Sequence, residues 1–230
     1  MFKTITEHHD FIVVNKSAGI NFHDEGDLGS GLFSAVKKQL LESNPKTELY
    51  PVHRLDKMTS GLVIFAKNLK TAQAFGRLFE AHNIEKYYLA ISDKKPSKKQ
   101  GLIKGDMAKS RRGMFKLLRT MQNPAITQFF SYSIGNKQRL YILKPHSGKT
   151  HQLRVALSSI GSPIVGDPLY YSTSKADRGY LHAYALKFAY QGEEFEYISA
   201  PNSGEFYLSD TLTKQLADIE KPWQLNWPRL

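Results

Sequence analysis

The chain has 230 residues, 41% of them hydrophobic and 23% charged, the proportions of a globular protein with a sizeable core rather than of a disordered chain. It has no cysteine and a net charge of +11, so disulfides, thiolate nucleophiles and sulfur-bound metals are excluded, and the cationic excess points to a polyanionic partner. No run approaches the roughly 18 apolar residues of a membrane span, and the N-terminus lacks a cationic stretch followed by an apolar one; a cytoplasmic protein is expected.

In chain order, "FIVVN" reads as a short strand. Ser30 is placed to cap a helix that carries Leu32, Phe33, Val36 and Leu40 on one face. "GLVIFAK" is short and β-rich and predicts a buried strand. Asn68 then caps a helix running through His82, with Leu69, Ala72, Phe75 and Phe79 at helical spacing. "KYYLAIS" predicts another strand. Residues 94–119 hold ten Lys or Arg against one acid, Asp106, so most of the excess charge is local. Phe115 and glycines interleaved with these cations suit a segment that lies along phosphates. "TQFFSYSI" and "RLYILKP" flank Gly135-Asn136 as a hairpin. Leu153, Ala156, Leu157 and Ile160 follow i, i+3, i+4, i+7, with Gly161 as the helix stop. "YLHAYALKFAY" and "EEFEYISA" complete the strands. Helices and strands mix without strict alternation, so the expected fold class is α+β.

Three chemistries fail on spacing. "SGKT" at 147–150 ends like a phosphate-binding loop, but Leu143 stands where that loop needs glycine. His53, Asp56, His146, His151 and His182 do not form a tight metal-ligand motif. No serine lies in a G-x-S-x-G elbow. What remains is a carboxylate beside cations: Asp56 follows Arg54 and precedes the turn Thr59-Ser60-Gly61. On a helix beginning near Thr150, residues Thr150, His151 and Arg154 share a polar face that could meet Asp56. An ordinary ion pair is the competing explanation of such a contact.

"HRLDKMTSGLVIFAK" resembles the H-R-L-D-x-x-T-S-G-L signature of the RluA family of RNA pseudouridine synthases. "DFIVVNKSAGI", "KYYLA", "LKPHSGKTHQLRVAL", "IGSPIVGDPLY" and "LHAYALKF" resemble further family blocks in order, covering about residues 10–190. Ser17, "NFHDEGD", Lys149 and Tyr171 depart from the family pattern, and Lys149 lacks the bidentate geometry of the usual arginine. The resemblance implies a mixed, mainly antiparallel sheet in two halves around a central cleft, with residues 1–230 as one catalytic domain and no preceding S4-type domain. It implies isomerisation of uridine to pseudouridine without cofactor or metal.

The resemblance also implies roles. Asp56 is the catalytic aspartate, Tyr88 stacks on uracil and handles the C5 proton, and Arg154 keeps the carboxylate ionised against burial. Arg54 fills the stack vacated by a flipped uridine. His53, Thr59, Lys149, His151 and Gln152 are candidates for the RNA-facing lining, with His53, Thr59 and Ser60 expected to shape the loop. Lys98, Lys99, Arg111 and Arg112 belong to an insertion at 94–119 expected to touch RNA. The expected partner is a ribosomal or transfer RNA stem-loop, and the expected state a monomer. Two rivals are an RNA-binding module or chaperone with secondary or lost catalysis, and an Asp-dependent nucleoside or glycoside hydrolase. The second is disfavoured because no acid accompanies Asp56 in the matched motifs.

Overall fold

A computed structural model describes all 230 residues. The strands are β1 (Phe2–Glu7), β2 (Phe11–Lys16), β3 (Tyr50–Pro51), β4 (Ser60–Ala66), β5 (Glu85–Ser92), β6 (Gln100–Gly105), β7 (Met107–Lys109), β8 (Phe115–Leu117), β9 (Ala125–Ser133), β10 (Arg139–Pro145), β11 (Leu181–Tyr190) and β12 (Glu193–Ile198). The helices are α1 (Leu32–Ser43), α2 (Leu69–Glu80), α3 (Gln152–Ser159) and α4 (Asp210–Ala217). No helix is long and apolar enough to cross a membrane. The fold is α+β, as the sequence leads one to expect.

One sheet runs β1-β2-β4-β11-β5-β10-β9-β6, with β3 on β4 and β12 on β11. Its pairings are antiparallel except β4 with β11, which meet in parallel at Ser60↔His182 and Gly61↔Ala183. From Ala185 onward β12 takes that edge of β11, so β4 diverges there and the sheet forks into two halves. At the fork the backbones are very close. Gly61 has φ +111°, and a Cβ there would lie 2.2 Å from the Ala183 carbonyl oxygen, so glycine is demanded by conformation and by space.

Strands β2 and β4 are buried at every residue because both of their faces are covered. Ile12, Val14, Val63 and Phe65 cluster with Leu32, Val36 and Leu40 of α1. Phe11, Val13, Leu62 and Ile64 cluster instead with Phe75 of α2. Each of these large side chains contributes roughly 1.5–3 kcal/mol on burial, and the two-residue alternation of a strand sends neighbours to opposite clusters.

The helix starts differ in how well the sequence shows them. Asn68 accepts the Thr71 N–H at 2.8 Å, as expected, but α2 ends at Glu80 and Leu69 is exposed. Ser30 does not cap α1. The N-cap is Gly31, and Asp24 supplies the polar contacts instead, accepting from Gly29 N, Gly31 N and Ser34 Oγ. The expected hairpin of β9 and β10 forms around Gly135-Asn136, with Ser133 opposite Arg139. Residues 94–119 are ordered as well: they build edge strand β6 and a separate β7–β8 hairpin. Past the matched motifs, Trp223 and Trp227 pack on Tyr87, at 6.1 and 5.8 Å between ring centroids.

Candidate active site

The loop entering β4 carries Asp56, and helix α3 carries Arg154. Arg154 Nη1 donates to Asp56 Oδ2 at 3.0 Å. Its other two donors go elsewhere: Nε reaches Asp167 Oδ2 at 2.7 Å and Nη2 reaches Asp167 Oδ1 at 2.8 Å. Asp167 is fully buried, and its Oδ1 also accepts the Leu169 and Tyr170 N–H groups. Burial works against the guanidinium's charge, yet Asp167 and then Asp56 raise its pKa further. Contrary to expectation, an acid does accompany Asp56 in the matched motifs: it is Asp167 of "GDPLY", and both of its oxygens are taken up by Arg154 and the 169–170 backbone.

His151 does not lie on the helix as its spacing suggests. It is the N-cap of α3, with φ 56°, and this left-handed turn brings Nε2 to 4.0 Å from Asp56 Oδ2. Burial, then Arg154, push its pKa down. The Tyr170 hydroxyl contacts His151 Nδ1 at 3.1 Å and accepts the Phe115 N–H at 2.8 Å. The Tyr170 ring also lies 5.2 Å from the Arg154 guanidinium. The β7–β8 hairpin is thereby tied to the residues around Asp56.

Asp56 and Tyr88 line one cavity of about 570 Å³, together with Arg54, Lys86, Lys149, His151 and Arg154. Its walls come from both halves of the forked sheet. Asp56 Oδ1 makes no hydrogen bond within the protein, and its side chain is 26% exposed. Burial, and then the Asp56 charge, push the Tyr88 hydroxyl well above the ordinary tyrosine range, so it rests protonated. Arg54 is exposed and makes no ion pair; Arg154, not Arg54, touches Asp56.

Other residues expected to line an RNA site do structural work. His53 Nε2 accepts the Ile64 N–H at 2.8 Å, and burial pushes its pKa down to about 3; it shapes the loop. Thr59 is buried, and its N–H donates to the Asp56 carbonyl, closing the turn after the aspartate. Gln152, a candidate for RNA contact that lines the cavity, has its amide engaged within the protein. Its Oε1 accepts from Ser147 Oγ and Lys149 N, and its Nε2 donates to Ile126 O and Thr127 Oγ1. Lys149 Nζ reaches Asn123 at 2.9 Å. Ser60, His146 and His182 are likewise engaged. The cationic candidates do not form one patch. Arg111 and Arg112 are exposed at the hairpin tip, whereas Lys98 and Lys99 precede β6 at its opposite end, about 20 Å away along the strand.

Beside Asp167, Tyr170 and Lys86, one further residue of the site is not among the sequence candidates. Lys16 is fully buried and donates to Ser17 O, Ile20 O and Lys57 O at 3.0, 2.7 and 3.2 Å. Lys57 follows Asp56 directly, so this ammonium pins the aspartate loop, although burial pushes its pKa down to about 7. Its place in "NKSAG", at a strand end, was the available signal.

A forked, mainly antiparallel sheet with an aspartate–arginine pair in the dividing cleft is the arrangement expected of pseudouridine synthases. The pattern describing RNA pseudouridylate synthases matches residues 10–159, and the chain belongs to this family. An RNA pseudouridine synthase of Haemophilus influenzae is 51% identical over 93% of this chain and 94% of its own length. The chain is also 34% identical to ribosomal large subunit pseudouridine synthase C of Rickettsia bellii, over 72% of this chain and 56% of that protein. The RluA-type relation expected from the motifs agrees with these matches. In fold, human RNA pseudouridylate synthase domain containing 1 superposes with a TM-score of 0.71 at 24% identity, covering 100% of this chain and 97% of that one. The protein is an RNA pseudouridine synthase.

Proposed function

We propose that this enzyme isomerises a specific uridine of structured ribosomal or transfer RNA, with residues 1–230 acting as one catalytic unit and Asp56 as its catalytic residue. The observation that carries this reading is the asymmetry at Asp56: one oxygen is held by Arg154, while the other has no protein partner in a cavity it shares with Tyr88. A carboxylate so held is directed into the cavity with one oxygen free for the substrate. The reaction breaks N1–C1′, turns the base, joins C5 to C1′ and exchanges the C5 proton for one on N1.

Tyr88 provides the stacking surface. Because its hydroxyl rests protonated, it passes on the C5 proton only by giving up its own in the same step. Arg54, free of ion pairs, takes the place of the flipped base. The Rickettsia bellii relative, by its name, supports ribosomal RNA as the first RNA to search. The test is a transcriptome-wide pseudouridine map by chemical stop, comparing a deletion strain complemented with wild type or Asp56→Asn. One or more stops should vanish in the deletion and return only with wild type; an unchanged map, or restoration by Asp56→Asn, defeats the assignment.

A further inference from the structure

Lys86 is a buried cation in the cleft that no interaction described so far explains. Among the cations lining the cavity, Arg154 is held by two carboxylates and Lys149 by Asn123, while Arg54 is exposed. Lys86 is only 8% exposed, yet its ammonium makes no hydrogen bond or ion pair. Its ammonium lies 5.5 Å from the centre of the Phe79 ring. Glu80 lines the same cavity without pairing to it. The one fully buried polar side-chain atom without a partner in this protein is the Tyr141 hydroxyl, so the Lys86 ammonium is open to the cavity it lines, with its donors unused, whereas Lys16 spends its own on three carbonyls.

The position of Lys86 indicates what its partner would be. Lys86 and Tyr88 stand two residues apart on one face of β5, about 6.6 Å along the strand. Lys86, Tyr88 and Asp56 all line the one cavity, and burial lowers the pKa of the Lys86 ammonium. We propose that Lys86 is a phosphate subsite, whose ammonium receives the phosphodiester adjoining the flipped uridine while the uracil lies on Tyr88. This rests on the placement of uridine at Asp56 and Tyr88 given above.

The test uses the RNA fragment that the deletion-strain map identifies and the substitution Lys86→Met, which keeps length and removes charge. In single-turnover conversion the half-saturating enzyme concentration should rise about 10-fold, with a much smaller change in the saturated rate. The log–log salt dependence of binding should fall by about 0.7, and Lys86→Arg should recover most of the affinity. A methylphosphonate at the linkage flanking the uridine should weaken wild-type binding and add nothing in Lys86→Met. Thermal melting of Lys86→Met should match or exceed wild type.

Equal penalties from the neutral linkage in both proteins would overturn the proposal. So would a loss confined to the saturated rate, or a lowered melting temperature, which would mark Lys86 as structural. If wild type fails to convert that uridine, the reading of Asp56 fails instead, and the linkage comparison, made by binding, still decides Lys86.

Discussion

Arg154 commits three donors to two carboxylates, and the division is unequal: two go to Asp167 and one to Asp56. Asp167 therefore fixes the guanidinium plane, and Asp56 receives a donor whose direction is already set. The arrangement needs the planar fork of arginine. Arg154→Lys keeps the charge but cannot serve both acids, and single-turnover conversion should fall about 100-fold or more, a loss comparable to removing a preorganised donor. Asp167→Asn leaves Arg154 less well compensated, and urea denaturation should show a loss on the order of 3 kcal/mol. Equal stability would mean that the buried pair is not what holds α3 to the 167–171 turn.

The elements determine which of these residues meet. The parallel contact of β4 with β11 joins the two halves of the sheet directly above the Asp56 loop, and it tolerates no side chain at Gly61. Gly61→Ala should cost more than about 3 kcal/mol in chemical denaturation, since the added methyl would meet the Ala183 carbonyl. A loss below 1 kcal/mol would show that the strands can part cheaply. The β7–β8 hairpin is attached to the site through Phe115, Tyr170 and His151, which brings Arg111 and Arg112 into the cleft's neighbourhood. Arg111→Gln with Arg112→Gln should weaken RNA binding and lower its salt slope by roughly 1.4. The same change at Lys98 and Lys99, beyond the far end of β6, should do less. Salt titrations of RNA affinity distinguish the two pairs, and equal effects would mean that RNA follows the whole edge strand.

For the molecule as a whole, buried histidines tie stability to pH. His182 accepts from Ser60 and donates to the Ser199 carbonyl, and burial pushes its pKa down to about 4; His53 lies at about 3. In the unfolded chain both take up protons below about 6.5. Between pH 6.5 and 4 the unfolded state thus binds protons that the folded state refuses, and stability rises with pH across that window. His182 alone should account for about 3 kcal/mol between pH 7 and 4, with His53 acting in the same direction. Urea midpoints measured from pH 7 to 4.5 check this, and the dependence should shrink in His182→Gln. A flat profile would mean that the two imidazoles charge within the fold.

How much could be read in advance depended on the range of the interaction. Short β-rich runs pointed to β2, β4 and β5, helical spacing to α2 and α3, and the resemblance of "HRLD", "KYYLA" and "THQLR" to family motifs to Asp56, Tyr88 and Arg154. These signals are local or repeat along the chain. Asp167 acting on Arg154, Asp24 bracing the start of α1, the left-handed turn at His151 and the fork at Gly61–Ala183 are contacts between separate elements or backbone states that composition does not encode. Gln152 and His53 show the same limit from the other side: their types suit RNA contact, but the Gln152 amide is taken by Ser147, Lys149, Ile126 and Thr127, and His53 Nε2 by the Ile64 N–H. The sequence by itself determined the family and the class of reaction, through the motifs by which it resembles pseudouridine synthases, and it pointed to Asp56 with Arg154 beside it. Only the tertiary structure decided which second acid holds that arginine, how the basic segment divides, and which lysine faces the cleft without a protein partner, because charge compensation depends on neighbours that folding alone brings together.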